Sequence, residues 1–487
     1  MRLLLNFISK HIYLEILIVF FGFLFFFRLD WMPLNSWDEA WYASIAREIV
    51  KHNEWVFLQF NNIPFYDHPP MGFWLMATSY KIFGVSEFST RLPSAVLGLM
   101  SIIFIYLIGK KISKENAVGF SAAMILGTCV WYVIRVRSGN LDSIFVFFYI
   151  VSIYTALLAR GRMVWFLVSM LSFGSLMLTK TLVGASALPV ICFILLPELI
   201  NIRKNYLWIL GGVALLCLLV LPWYWIQYVS YSDFVQHHFF TIGTRGKTAD
   251  SFLNLQYELP LFYLHMGVRK WYYLWLASGA YLILFFRFMK KNISSLLLWN
   301  VVILYPFLTT DQTHIWHLIP VYVPIALIIS FGIWDGGKLI VNYIKHFKIP
   351  LMIRFNLLHD WVVKGIYLGV IVFIVFLQVK IFYSEVIPQY RYTPDDVDIS
   401  QRAGKYDSTI YLDDDYLPLA VYYSDQAVHQ MAYEPEERKT LVNLFKSENE
   451  PFVAITRNWA LNNLEENDLE YKILEQNDSF SIVTKPQ

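Results

Sequence analysis

The run Ile12-Tyr13-Leu14-Glu15-Ile16-Leu17-Ile18-Val19-Phe20-Phe21-Gly22-Phe23-Leu24-Phe25-Phe26-Phe27, followed at once by Arg28, decides the class of fold. It is apolar through nearly its whole length and suits a helix that crosses a bilayer, which takes about 20 residues, somewhat fewer where the ends snorkel. Arg2 and Lys10 precede it, as they would in a secretory signal. Yet the run ends in Phe25-Phe26-Phe27-Arg28 and not in the small residues that a signal peptidase cleaves. It reads as a retained signal anchor and first span.

Working outward, the rest of the chain has the same character. Of 487 residues 57% are hydrophobic and only 16% charged, whereas a soluble domain lies nearer half apolar and a quarter charged. Further apolar runs lie near 92–109, 117–134, 141–159, 163–179, 182–200, 206–229, 271–287, 295–309, 315–333 and 361–383, about eleven with the first. The net charge of +2 offers no basic surface for nucleic acid. The cysteines Cys129, Cys192 and Cys217 all lie inside apolar runs and suggest no disulfide framework.

Lysine and arginine set the orientation. Lys110, Lys111 and Lys114, then Arg160 and Arg162, Arg203 and Lys204, Arg287, Lys290 and Lys291, and finally Lys338, Lys345, Lys348 and Arg354 fall on alternate loops. The sequence therefore predicts a multi-pass membrane protein with a cytoplasmic N-terminus. The segments 28–91, 135–140, 180–181, 230–270 and 310–314 then face the exterior, as does the C-terminal part. The expected domains are a membrane part over 1–387, which includes loop 28–91, and a small exterior α/β domain over 388–487. In that domain Thr409–Leu412, Phe452–Ile455 and Phe480–Val483 read as strands, and 417–423 and 439–447 as short helices. In the first loop Ala40, Trp41, Ile45, Ala46 and Ile49 form one helical face, which predicts an amphipathic helix lying in the membrane interface. A second such helix is expected over 72–83.

Polar residues on this exterior side carry the candidate chemistry. In Asn35-Ser36-Trp37-Asp38-Glu39-Ala40, Ser36 and Glu39 fit a capping box, which leaves Asp38 as a second acid available to deprotonate a hydroxyl. Tyr66-Asp67-His68-Pro69-Pro70 sets three polar groups before a proline-fixed helix start; Asp67 and His68 suit a phosphate, a metal or a hydroxyl, or simply a solvated turn. Arg135, Arg137, Lys180, Arg245 and Lys247 are cations on the side that should be poor in them. Lys180 closes an apolar helix, where a cation is costly unless paired; a lipid-linked phosphate is one partner, and snorkelling to headgroups the other reading. Asp142 begins a span and either pairs with Arg137 or serves substrate. His314 and His317 are half a metal site at most, and His237-His238 is a weaker signal still. A divalent metal held by Asp67, His68 or His314 is a candidate, and no other cofactor is expected. Asp413-Asp414-Asp415 reads as an acidic turn after a strand rather than a metal–nucleotide motif.

Taken together, Trp37-Asp38-Glu39-Ala40-Trp41-Tyr42-Ala43, Tyr66-Asp67-His68-Pro69-Pro70, Phe73-Trp74, the stretch Phe83 to Ala95, Arg137 to Asp142, Leu178-Thr179-Lys180 and Ile315 to Pro324 resemble the GT-C glycosyltransferases. The nearest resemblance is to the bacterial dolichyl-phosphate-mannose-protein mannosyltransferase-like family, which includes the lipid A aminoarabinose transferase. That resemblance implies transfer of a sugar from a polyprenyl-phosphate donor to a lipid, glycan or protein acceptor on the exterior face. It implies that the acid of the first loop, Asp38, is catalytic, with Glu39 beside it. It further implies that Lys180, Arg137 and Arg245 hold the donor phosphate, with Tyr66, Asp67 and Asp142 near the substrate. Aminoarabinose transferases carry a Tyr-x-Lys-Pro-Pro pattern, and His68 takes the place of that lysine. A transporter or flippase of a lipid-linked sugar is the competing class, and it would need a polar path through the midplane.

Overall fold

The computed structural model describes residues 2–34, 37–243, 254–285, 291–309, 313–346, 360–386, 394–431 and 440–486. It divides into two compact units: the first comprises 1–27, 66–72 and 93–388, the second 28–65, 73–92 and 389–487.

The first unit is helical, and a helix lies on every apolar run read from the sequence. Among the described residues six helical stretches are long and apolar enough to cross a membrane: Glu87–Ser113, Asp142–Ala159, Leu182–Ile200, Arg203–Ser230, Ile315–Val341 and Val362–Ser384. Asn116–Gly127 and Val130–Val136 make a seventh if taken as one span, bent by 74°. The bend has a local cause. Thr128 Oγ1 donates back to the Met124 carbonyl at 2.6 Å and Cys129 Sγ to that of Ile125 at 3.2 Å, so side chains compete with the next helical turn. His11–Phe26, Val164–Met177 and Ile293–Thr309 are apolar but shorter, and Tyr272–Leu284 occupies the run near 271–287.

Burial sorts these helices. Asp142–Ala159 is enclosed along most of its length, and Tyr149 within it stacks on Trp299 at 5.5 Å, both rings fully buried. Arg203–Ser230 instead leaves Leu207, Leu218 and Trp225 exposed, the surface expected of a lipid-facing helix. Where Glu87–Ser113 meets Asn116–Gly127 the backbones nearly touch. A Cβ on Gly119 would lie 2.3 Å from the Tyr106 carbonyl oxygen, and one on Gly109 would lie 2.8 Å from Gly119 Cα. Charged side chains brace the same end of the unit, where Glu115 receives Lys338 at 3.2 Å and Lys364 at 3.0 Å.

The second unit is α/β. Its sheet has strands β3 (Thr409–Leu412), β4 (Val428–Gln430), β5 (Phe452–Arg457), β6 (Lys472–Gln476) and β7 (Phe480–Thr484) in the order β4-β3-β5-β7-β6. Strands β3, β4 and β5 run parallel and β7 antiparallel to β5. A short hairpin, β1 (Gln59–Phe60) and β2 (Ile63–Pro64), lies in the first loop. The three strands and two helices expected here from sequence are present. β4, β6 and the helix Asp395–Ala403 are additional, being short or polar enough to lack a clear periodicity.

The apolar face of the first-loop helix Trp37–His52 is covered by protein: Ala40 and Ala43 belong to the same core as Ile410, Leu412, Ala420, Val453 and Ile482. It packs on the helix Leu417–Ser424. Even its polar face is used, since Arg47 donates to the carbonyls of Tyr422 at 2.7 Å and Val421 at 3.0 Å. The contacts thus group most of loop 28–91 with the C-terminal residues, a different cut from the boundary at 387/388.

Replacing Gly119 by Val is expected to force the two helices apart and to lower stability by about 1–3 kcal/mol, the usual cost of overpacking. The melting temperature of the purified protein in detergent would report the loss, with Gly279→Val, which meets nothing within 4 Å, as the control.

Candidate functional site

In the first unit the candidate residues converge on Asp142. Asn140 fixes it: its Oδ1 accepts the Asp142 N–H at 2.9 Å, its amide donates to the Arg135 carbonyl at 3.3 Å, and its own carbonyl accepts Ser94 Oγ at 2.9 Å. The helix Asp142–Ala159 therefore begins in a tightly bonded turn. Asp142 is 4% exposed, and a buried carboxylate requires partners. Lys180 Nζ reaches its Oδ1 at 2.5 Å and Arg135 Nε its Oδ2 at 3.5 Å. His68 lies close enough to interact with it electrostatically. The Arg135 guanidinium sits 4.9 Å above the Trp316 ring, and that ring stacks on His314 at 4.7 Å. Lys180 itself adopts an extended backbone between Val164–Met177 and Thr181–Ala185, a break that turns its side chain off the helix. Gly72 permits the approach of its segment: a Cβ there would fall 2.1 Å from Leu141 Cδ2.

Beside this cluster lies a second polar group. Tyr66 Oη donates to Asp233 at 2.9 Å and 3.0 Å from its two carboxylate oxygens. Burial and the Asp233 carboxylate push the Tyr66 phenol up to about 12. Asp67 Oδ1 meets His237 Nε2 at 2.6 Å, and His238 Nδ1 lies 2.8 Å from the Tyr66 carbonyl. Burial holds the His238 imidazole below its ordinary value, despite the Tyr66 carbonyl.

The structure divides the expected residues accordingly. It brings together Asp142, Lys180 and His68 and adds Arg135. The pairing of Asp142 with Arg137 does not occur in this geometry. Arg137 donates instead to the carbonyls of Leu24 at 2.7 Å, Phe25 at 3.2 Å and Phe27 at 2.9 Å, where it closes the end of the helix Arg2–Phe26. Arg245 and Lys247 lie outside the described residues. His314 begins a turn, its backbone N–H donating to His317 Nδ1 at 3.1 Å. Among the described residues no group of three His, Cys, Asp or Glu side chains is placed to hold a metal ion, which counts against Asp67, His68 and His314 as a joint site. Asp233, His237 and Trp316 were not singled out as partners from sequence, because nothing local links them to residues so far along the chain.

In the second unit the two adjacent acids of the opening helix part company. Glu39 is fully buried and receives Arg91 Nε at 2.8 Å and Nη2 at 3.1 Å. Arg91 also donates to the carbonyls of Leu29, Met32 and Pro33 at 2.9, 2.7 and 2.8 Å, so the pair locks the entry to the helix. Asp38 is half-buried in the first turn of the same helix. Ser36, the expected cap, lies outside the described residues.

Comparison with known proteins agrees with this architecture. The family model for dolichyl-phosphate-mannose-protein mannosyltransferase matches residues 67–225. ArnT from Cupriavidus metallidurans, solved with undecaprenyl phosphate bound, superposes with a TM-score of 0.66 at 16% identity over 97% of this chain and 98% of that one. The chain thus shares the fold of ArnT. The oligosaccharyltransferase of Archaeoglobus fulgidus is a more distant structural relative, with a TM-score of 0.54 and 11% identity over 93% of this chain and 70% of its own. Among curated relatives, the undecaprenyl phosphate-α-4-amino-4-deoxy-L-arabinose arabinosyl transferase of Aeromonas hydrophila is 28% identical over 336 residues, 65% of this chain. The enzyme of that name from Shewanella sediminis is 28% identical over 71% of this chain. The chain spans 59% and 65% of these two relatives' lengths. The resemblance read from the first-loop motifs thus extends to the fold and to curated relatives.

Arg91→Met would strand the Glu39 carboxylate in a buried site and is expected to cost about 3–5 kcal/mol. Removing both charges, as Glu39→Met with Arg91→Met, should recover much of that loss. Thermal melts of the two variants would check both halves of the expectation.

Proposed function

We propose that this GT-C chain is a membrane glycosyltransferase that moves a sugar from a polyprenyl-phosphate donor, undecaprenyl phosphate in particular, to an acceptor at the extracytoplasmic face. The observation that carries the reading is the buried Asp142 held by Lys180 and Arg135 with His68 beside it. Two full cations face one carboxylate, so the cluster retains positive charge for a phosphate. The names of the curated relatives support an undecaprenyl-linked donor.

The reaction we infer is a single inverting displacement. The acceptor hydroxyl oxygen attacks the anomeric carbon as the bond from that carbon to the phosphate oxygen breaks. The electron pair leaves with the phosphate, whose growing charge Lys180 and Arg135 stabilise. The hydroxyl proton passes to Asp38, the half-buried acid of the helix Trp37–His52. Glu39, bound into its ion pair with Arg91, steadies that helix and takes no proton in this scheme. The apolar helices that face outward suit a polyprenyl tail and an inner-membrane location, and the lysines and arginines on alternate loops support an N-terminus inside.

Asp38→Asn should lower sugar transfer from a polyprenyl-phosphate donor in proteoliposomes by about 100-fold or more, the range for a lost general base. Its melting temperature should stay that of the parent chain. Unchanged transfer by the folded variant would remove Asp38 from the mechanism. For orientation, a cysteine at the exposed position Asp478 should react with a membrane-impermeant maleimide added outside intact spheroplasts. Protection until lysis would reverse the assignment.

A further inference from the structure

The segment Tyr231–Gly243 is fastened to Tyr66-Asp67 at several points. Tyr66 stacks on Tyr231 at 4.7 Å and 25°, its hydroxyl meets Asp233, and its carbonyl meets His238. Asp67 meets His237 at 2.6 Å. The stretch Gln236–Gly243 is π-helical, a rare conformation that costs backbone regularity and is found mostly at functional sites. It packs against Thr181–Ala185, the short helix that starts directly after Lys180. Asp67 is followed by His68, which interacts with Asp142. Three segments of the first unit therefore link His237, through Asp67-His68 and through the helix after Lys180, to the cluster around Asp142.

The two neighbouring histidines are used differently. His238 is 3% exposed, stacks on Phe234 at 5.0 Å and is held neutral by burial, so it serves packing. The His237 side chain keeps a third of its surface accessible, and Asp67 takes only its Nε2. Among the described residues Nδ1 has no hydrogen-bond partner. A carboxylate on one ring nitrogen fixes the orientation of an imidazole and leaves the other nitrogen to a ligand. Tyr66, edge-on to the ring at 5.1 Å, closes a second side.

We propose that His237 is a ligand of the donor phosphate, bound as the imidazolium that donates from Nε2 to Asp67 and from Nδ1 to a phosphate oxygen, and that Asp67 is the positioning residue that aims it. This rests on the reading of the Asp142 cluster as a polyprenyl-phosphate site. It also gives a physical reason for histidine at 68: the phosphate would be held by two lysine or arginine cations and two imidazoles, the latter drawn from separate segments.

The test uses the full chain in nanodiscs, with undecaprenyl phosphate as the binding probe and sugar transfer as the second readout. His237→Ala should weaken binding about tenfold, the effect of one lost hydrogen bond to a charged group. Free imidazole should restore part of the transfer rate. His237→Gln, which keeps an N–H donor, should lie between, and Asp67→Asn should lower transfer without rescue by imidazole. Full binding and transfer by folded His237→Ala would overturn the proposal. So would a loss that imidazole does not repair and that tracks a lower melting temperature in both His237 variants, since that is the pattern of a loop fastening alone. Parent protein that binds no undecaprenyl phosphate would overturn the donor-site reading itself, before any variant is compared.

Discussion

The charge of Asp142 is the constraint on which the first unit depends. A carboxylate that is almost wholly removed from solvent costs several kcal/mol unless cations and hydrogen bonds compensate it. Here the compensation comes from distant parts of the chain: Arg135 from the bent pair of helices, Lys180 from the end of the next but one, and Asn140 from the intervening turn. Each of these demands fixes a backbone. The 74° bend aims the helix Val130–Val136, the extended residue at 180 releases the ammonium, and the missing Cβ at Gly72 lets the proline-bounded segment come near Leu141. A structure that needed only stability would do better with apolar side chains at these places. Retention of the charges is what the proposed phosphate site would explain.

The second unit obeys the same rule with a different outcome. Glu39, Arg91, Arg47, Asp414 and Arg457 are charged groups drawn into or against its core, and each is matched by carbonyls or an opposite charge. Arg91 is the extreme case, with five hydrogen bonds divided between one carboxylate and three carbonyls. Such saturation leaves Glu39 little capacity for proton transfer. The adjacent acid, one residue earlier on a helix, points about 100° away. That rotation gives two neighbouring carboxylates in one motif separate surroundings, as the proposed division of roles requires.

Much of this was readable from sequence where the signal is local. Spans follow from long apolar runs, and the strands Thr409–Leu412 and Phe480–Thr484 from short β-branched and aromatic ones between polar turns. What covers the apolar face of Trp37–His52 was not legible, for a physical reason. Periodicity at Ala40, Ile45 and Ile49 states that one face is buried, not what buries it, and here the partner is a helix and sheet from the far end of the chain. The choice between Arg135 and Arg137 as the mate of Asp142 was equally closed to sequence. The two lie two positions apart at the end of one short helix, so they face different ways. One finds the carboxylate, the other the last carbonyls of the first span.

The triplet Tyr66-Asp67-His68 shows how a short stretch can hold several demands at once. Its three side chains meet three acid or base partners: Asp233, His237 and, through the field, Asp142. Pro69 and Pro70 lack N–H donors and fix the backbone after the triplet, so neither competes for these partners. A lysine at 68 would add a permanent charge on a flexible stem, whereas an imidazole is a shorter, planar group that reaches only what is already close. The site can use that shorter group because Asp67, in the same step of chain, draws a second imidazole into place from residue 237. Histidine at 68 and the Asp67–His237 pair are thus two parts of one arrangement.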